Sequence, residues 1–504
     1  MFKKILIANR GEIAVRVMRA CWDLDVRTVA VYSDADRAAL HVRLADEAVR
    51  IGPPPARESY LDAERIFEAA RATGAEAIHP GYGFLSENAE FAAECGRRGF
   101  VFVGPPASAM RLLGDKVSAR AALRAAGVPM LPGTDAFRGD ADEAAPIAAT
   151  IGYPVIVKAA AGGGGKGMRL VRGPEELPRA LDAARSEARA GFGDDTIFIE
   201  KFLERPRHIE VQILFDQHGN GVALGERECS LQRRHQKVLE ETPSPVVDWA
   251  TRRRLADWGV RAGRAAGYVG AGTVEFLRGE DGRFYFMEVN ARLQVEHPVT
   301  EEVYDHDLVK AQIRVAFGEK LRWTQEELVP TGHAIEVRIC AEDPERNFVP
   351  CPGVIGAVRM PAGPGIRNDH AVARNYEVPV HYDPLVAKLV AHGATRDEAI
   401  RRLRRALDEY RLDGLTTNIP FLRRLVEHPA FVAGELHTGF IDEHGDELFR
   451  GGDPPLDRIA LLAAAIHAYR GQGEAARRLD PAADRPERSA WVRVGRARAM
   501  GGRR

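Results

Sequence analysis

Little in this chain of 504 residues points to a membrane, a nucleic acid or an oxidising compartment. Its five cysteines (Cys21, Cys95, Cys229, Cys340 and Cys351) are scattered and form no CxxC pair. That excludes a disulfide framework and the usual zinc spacings, and it suits a reducing compartment. No run reaches the roughly 18 apolar residues of a spanning helix, and the longest apolar tract, Ile459 to Ile466, stops at His467. Lys plus Arg number 71 against 72 Asp plus Glu, a formal net charge of −1, so no charge excess favours nucleic acid or a lipid surface. The first residues, MFKKILIANRGEIAVRV, start on a strand and lack the long apolar segment of a secretory leader, so a cytoplasmic protein is expected. No internal repeat is evident.

What is present is a long globular chain, 45% hydrophobic and 28% charged, with room for two to four domains. Its centre of interest is Gly272 to Thr300, GTVEFLRGEDGRFYFMEVNARLQVEHPVT. Two short strands joined at Glu280-Asp281-Gly282-Arg283 predict a hairpin that sets Glu275 opposite Glu288 and Leu277 opposite Phe286. Like charges so placed repel and call for a cation between them. Continued in the same parity, Glu288, Asn290, Arg292, Gln294 and Glu296 fall on one side of an extended chain, with Leu277, Phe284 and Phe286 sharing the acid face. Hard oxygen donors beside an arginine and another acid suit a divalent cation, an anion and a proton acceptor.

Residues 3 to 110 alternate strand and helix: KILIAN, a helix over Gly11–Trp22, TVAVYS, a helix over Tyr60–Thr73, AEAIHP, a helix over Glu87–Arg98, and FVFVG. That rhythm predicts a doubly wound parallel sheet of four strands. The turn Asn9-Arg10-Gly11 lacks GxGxxG, so a dinucleotide fingerprint is not supported. The turn His79 to Phe84 follows a strand at the end where such sheets place ligands. A helix from Lys116 to Ala126 stops at Gly127-Val128-Pro129. Beyond it, YPVIVKAAAGGGGKGMRLV and DTIFIEKFL predict strands around a glycine run that is not a Walker loop, since Gly167 follows Lys166. A mobile lid closing over phosphates is the reading, with Lys158 adding a point charge. Strand-rich text follows from Arg207, then the polar run Leu231 to Lys237, which by itself reads as solvated. A helix over 251–267 leads to the hairpin, and another runs from Asp307 to Phe317. Strands HAIEVRICA and VPVHYDPLVAKLVAHG follow, with helices over Arg396–Tyr410 and Phe421–Val426. Arg338 sits among Ile335, Val337 and Ile339 and needs a partner such as Glu296 or an anion. Residues 447–504 turn Gly-, Pro-, Ala- and Arg-rich, with one helix at Leu456–Tyr469, and read as a linker or docking tail.

Taken together, IANRGEIAVRV, HPGYGFLSENAEFA, GDKVSAR, KAAAGGGGKGMR, EKFLERPRHIEVQ, ERECSLQRRHQKV, RFYFMEVNARLQVEHPVTE and GHAIEVRICAEDP make residues 1 to about 445 closely resemble biotin carboxylase, an ATP-grasp enzyme. The resemblance implies an α/β fold: an N-terminal Rossmann-like domain (1–115), a connecting helix (116–134), a glycine-rich lid (135–203), an ATP-grasp central domain (204–330), a C-terminal α+β domain (331–446) and a tail (447–504). It implies ATP-dependent carboxylation of biotin by bicarbonate through carboxyphosphate. Lys116, Lys158, Gly164 and Gly165 would bind phosphates, and Glu200, Lys201, Leu203, His208, Gln232, His235 and Leu277 the rest of the nucleotide. Glu275, Glu288 and Asn290 would hold magnesium or manganese. Tyr82, Lys237, Arg292, Gln294, Val295 and Arg338 would surround bicarbonate and the biotin ring, with Lys237, Arg292, Arg338 and the general base Glu296 carrying the chemistry. No Ala-Met-Lys-Met sequence is present, so biotin is expected on a separate carrier chain, with carboxyltransferase partners and a homodimer. Another ATP-grasp carboxylating or carbamoyl-phosphate-type ligase is the alternative; an ATP-binding scaffold would require a broken site.

Overall fold

The computed structural model describes residues 1–159, 168–192, 195–449, 459 and 461–468. They fall in two units, Met1–Phe449 and Arg450–Arg504. In the second, 459 and 461–468 are helical, inside the span expected for the tail helix, whose other residues lie outside the described ones.

The N-terminal sheet is parallel and has five strands, ordered Glu47–Gly52, Arg27–Ser33, Lys4–Ile7, Ala77–His79, Val101–Phe102. Period-two alternation sends Ile5 and Ile7 into the core formed with Ile13 and Val17 of the helix Gly11–Trp22. Leu6 goes to the opposite core, with Ile66 and Phe67 of Ala63–Thr73 and Phe91 of Ala89–Arg97. Helices on both faces are what an all-parallel sheet requires. The fifth strand, Glu47–Gly52, is absent from the four expected. It lies at the sheet edge, and Glu47 to Arg50 alternate half-buried with exposed ahead of the buried Ile51 and Gly52, so it lacks the apolar run that marked its neighbours.

Chain order reverses between Lys4–Ile7 and Ala77–His79, and the crevice beyond their carboxyl ends is the ligand position of open α/β sheets. The turn after the first strand carries Asn9, whose Nδ2 donates to the Pro80 and Tyr82 carbonyls at 2.7 Å each. The two turns are thus tied together, with Gly81 at φ +63° so close to Asn9 that a Cβ would meet its amide at 3.0 Å. That fixes the direction in which Tyr82 leaves the sheet.

A second, antiparallel sheet of three strands (Arg169–Val171, Val155–Ala159, Ile197–Lys201) packs against the helices Ala141–Ile151 and Leu177–Phe192. Val155, Val157, Ile197 and Ile199 face those helices. By alternation Ile156, Lys158, Phe198 and Glu200 are left for the other face.

The largest sheet has eight antiparallel strands: Phe284–Asn290, Gly270–Arg278, Arg207–Phe215, Gly221–Arg233, Gln236–Thr242, His333–Cys340, Leu385–Gly393, Ile366–His370. It takes strands from both sides of residue 330. No helix among the described residues is long and apolar enough to cross a membrane.

Candidate active site

The three sheets surround one cavity of about 1380 Å³, and its lining includes eighteen of the side chains singled out from the sequence. Lys116, Lys158, Glu200, Lys201 and Leu203 line it from the lid side; His208, Gln232, His235, Lys237, Glu275, Leu277, Glu288 and Asn290 from the large sheet; Arg292, Gln294, Val295 and Arg338 from its far end; Tyr82 from the N-terminal turn. Glu296 is buried behind this wall. Gly164 and Gly165 lie outside the described residues.

The hairpin places Glu275 opposite Glu288, as expected, but Leu277 faces Tyr285 and not Phe286. The register slips by one after Glu275, with Met287 as the extra residue. The slip removes Phe284 and Phe286 from the acid face and packs them with Phe276 in the core under Trp258. It also explains how a strand can carry an acid on the cavity side and buried phenylalanines in the core without one row containing both.

The expected extended row to Glu296 is a second correction. The strand ends at Asn290, and a turn precedes the helix His297–Tyr304. The polar groups converge by hydrogen bonds instead. Asn290 Nδ2 and Gln294 Nε2 donate to Glu275 Oε1 at 2.7 and 3.3 Å. Arg292 donates to Gln294 Oε1 at 3.0 Å, to Asn290 Oδ1 at 3.3 Å and to Glu87 Oε2 at 3.1 Å.

At the centre stands Lys237, from the run that by itself read as solvated. Its ammonium meets Glu210 at 2.5 Å, Glu296 at 2.6 Å and Glu275 at 2.9 Å. Burial disfavours the ammonium, but Glu210, Glu275 and Glu296 outweigh it and hold the pKa well above the ordinary lysine value. The acids respond in kind. Burial pushes the Glu296 carboxyl up, yet Lys237, Arg338 and Arg227, against Glu210, keep it below its ordinary value. Glu275 is likewise held down, against burial, by Lys237 and by His208, whose Nε2 lies 2.9 Å away. Glu288 behaves oppositely: burial, then the Glu275 charge, push it up. A carboxylate destabilised by a neighbouring carboxylate is a place for a divalent cation, and the donors Glu275, Glu288 and Asn290 are the hard oxygens that magnesium or manganese takes.

Arg338 finds the partner its strand demanded, donating to Glu296 Oε2 at 3.0 Å and to Glu240 Oε1 at 2.7 Å. The Val295 carbonyl accepts from the buried Lys388 ammonium at 2.8 Å.

Toward the lid, Glu200 accepts ion pairs from Lys158 at 2.7 Å and from Arg120. Lys201 turns its ammonium to the Gly152 and Tyr153 carbonyls, at 2.9 and 3.0 Å, so its charge ties the lid to itself. Gln232 Nε2 lies 2.7 Å from His208 Nδ1. His235 occupies the hairpin tip at φ +65°, beside Arg234 at +49°.

Sequence reasoning missed Glu210, Arg227 and Arg120. Fully buried Arg227 donates to Glu210, Gln212, Thr273 and Thr300. The signal was there in HIEVQ: polar residues at every second position of a strand with no solvent face.

Three family models cover the chain: "Biotin carboxylase, N-terminal domain" over residues 1–110, "Carbamoyl-phosphate synthase L chain, ATP binding domain" over 115–324, and "Biotin carboxylase C-terminal domain" over 336–443. A biotin carboxylase from Halalkalibacterium halodurans is 52% identical over 444 residues, covering 88% of this chain and 98% of that protein. The chain belongs to the biotin carboxylase family. The propionyl-CoA carboxylase alpha chain of Ruegeria pomeroyi is 49% identical over 490 residues, covering 93% of this chain and 72% of that protein. The biotin carboxylase domain of Hydrogenobacter thermophilus 2-oxoglutarate carboxylase, a dimer in complex with MgADP, ADP and bicarbonate, matches with a TM-score of 0.84 at 46% identity, covering 90% of this chain and all of that one. Biotin carboxylase membership makes the chain an ATP-dependent ligase of α/β, ATP-grasp architecture. It also sets aside the carbamoyl-phosphate alternative, whose description attaches to the central segment alone, between biotin carboxylase segments on either side.

Proposed function

We propose that this chain carboxylates biotin with bicarbonate at the expense of ATP, through carboxyphosphate, as the first half-reaction of an acyl-CoA carboxylase. The observation that carries the mechanism is the Lys237 ammonium bound by Glu210, Glu275 and Glu296, with Arg338 on the far side of Glu296.

Lys116 and Lys158, with Gly164 and Gly165, take the phosphates. Glu200, Lys201, Leu203, His208, Gln232, His235 and Leu277 hold the nucleoside. Glu275, Glu288 and Asn290 hold magnesium or manganese, which when bound offsets charge on the transferring phosphoryl group. Bicarbonate is a weak nucleophile, so Lys237 and Arg292, with Gln294 and the Val295 backbone, fix it for attack on the γ-phosphorus. Glu296 takes its proton, being held ionised at neutral pH by Lys237 and Arg338. The bond from γ-phosphorus to the bridging oxygen breaks and ADP leaves. Carboxyphosphate then divides into carbon dioxide and phosphate, phosphate takes the biotin N1 proton, and N1 attacks carbon dioxide. Arg338 and Arg292 stabilise the ureido oxygen, beside Tyr82. The lid of residues 135–203, closed over the cavity, keeps water from the labile intermediate.

The division at residues 115, 134, 203, 330 and 446, a cytoplasmic location, a homodimer, a biotin carrier protein and a carboxyltransferase belong to the same reading. The relative that is the alpha chain of a propionyl-CoA carboxylase, and the dimeric structural neighbour, support the last three. Steady-state ADP release should require both bicarbonate and free biotin. Release indifferent to biotin would refute the proposal.

A further inference from the structure

We infer that Glu240 is a positioning residue for this reaction, holding Arg338 as its standing counter-charge so that the Glu296 carboxylate is left able to take a proton. The inference rests on the biotin carboxylase reading above. Arg338 is gripped from two sides, by Glu240 through Nε at 2.7 Å and by Glu296 through Nη2 at 3.0 Å. The two acids are not equivalent. Glu296 also touches Lys237, which lines the cavity, whereas Glu240 is fully buried and lines none of it. Glu240 therefore meets no substrate and acts only through the arginine.

The surroundings of Glu240 show that its charge is finely balanced. Its second oxygen, Oε2, has no hydrogen-bond partner, and neither oxygen of the buried Glu336 has one. The Cα atoms of Glu240 and Glu336 are partners across the antiparallel ladder. Two unsolvated acids side by side cannot both ionise against one arginine. The charged groups facing them are Lys237 on the strand of Glu240, Arg338 beside Glu336 on the next strand, Glu296 ahead of the helix His297–Tyr304, and Lys388 on the third strand. Burial above all, against the pull of Lys388 and then with the Glu240 charge against Arg338, holds Glu336 well above the carboxylate range. Glu240 is raised less, to about 7, by burial and by Glu296 against Arg338. Glu336 thus keeps the proton, and Glu240 carries the charge that matches Arg338.

When Glu240 is neutral, Arg338 has Glu296 as its one remaining carboxylate. That pair tightens, Glu296 becomes a poorer base, and the guanidinium is drawn back from the substrate. The Glu240→Gln variant fixes the protein in this neutral form. Carboxylation of free biotin, measured as ADP release over pH 5.5 to 9 (a range of roughly neutral pH chosen to bracket carboxylate and imidazole titration), should show kcat lowered about tenfold or more. KM for ATP should stay within about twofold, since Glu240 does not line the cavity and its side chain bonds Arg338 and no nucleotide residue. The variant should also lack the acid limb near neutral pH that Glu240 contributes to the unaltered protein. The Glu240→Asp variant, one methylene short but still charged, should keep that limb and a kcat above that of Glu240→Gln.

A Glu240→Gln protein with an unchanged limb, or with kcat and KM for ATP degraded together, overturns the proposal. Should Glu240→Gln not fold, loss of the limb from folded Glu240→Asp overturns it and retention supports it. Failure of the unaltered protein to couple ADP release to biotin would refute the functional reading itself, which the same assay reads separately.

Discussion

Replacing Lys237 by methionine removes the one cation shared by three buried acids, and its consequences follow from the partners that remain. The ammonium makes three charge-assisted contacts, to Glu210, Glu275 and Glu296. Each such bond is worth about 1.5–3 kcal/mol in a buried setting. The loss is smaller than their sum, because Glu210 keeps Arg227, Glu275 keeps His208 and Asn290, and Glu296 keeps Arg338. The buried ammonium's own desolvation disappears as well. A net destabilisation of about 3–5 kcal/mol at pH 7 is expected. Against burial, Lys237 holds Glu275 and Glu296 below their ordinary range, and Arg227 and then Lys237 hold Glu210 there, so each acid contributes stability above that range that is lost on acidification. Without Lys237 the acids take up protons at higher pH. The stability gap between the two proteins must therefore narrow as pH falls below about 5. Urea unfolding at pH 7, 6 and 5 measures the gap, and ADP release in the presence of bicarbonate and biotin should fall by about 10²–10³-fold. A gap that widens on acidification, or a variant that stays within a few-fold of full activity, would refute the shared-cation account.

Two further outcomes follow from the same chemistry. Glu241 is buried between His333, at 2.6 Å, and Arg396, at 2.7 and 3.0 Å; against burial, the His333 hydrogen bond and Arg396 lower its carboxyl from 4.5 to about 2. That difference is worth about 3 kcal/mol above pH 5, disappearing as pH falls toward 2, so thermal unfolding of Glu241→Gln should show this deficit at pH 7 and a shrinking one in acid. For Glu288→Gln, titration of activity with magnesium should show a requirement raised about tenfold or more, while folding is unharmed or improved because the repulsion with Glu275 is gone; an unchanged magnesium titration would remove Glu288 from the metal site.

The sequence by itself determined those features in which short-range rules decide the outcome. The helix Gly11–Trp22 has the predicted bounds because one apolar face and a following turn suffice to define it. The hairpin itself was legible from its Asp-Gly turn and apolar flanks, but the turn sets Leu277 opposite Tyr285, and it is the extra residue Met287 that brings Glu288 opposite Glu275. The strand Glu47–Gly52 was not legible, since an edge strand facing water carries no buried pattern to read. Nor was the slip at Met287, which the sequence does not mark and which moves Phe284 and Phe286 to the other face. Tertiary structure alone decided what Lys237 does. In the text it belongs to a polar run fit for solvent; in the fold, the strand Gln236–Thr242 lies inside an eight-stranded sheet and the lysine enters a ring of acids drawn from three other segments. A charge largely withdrawn from water is defined by its neighbours, and those neighbours are tens of residues away along the chain.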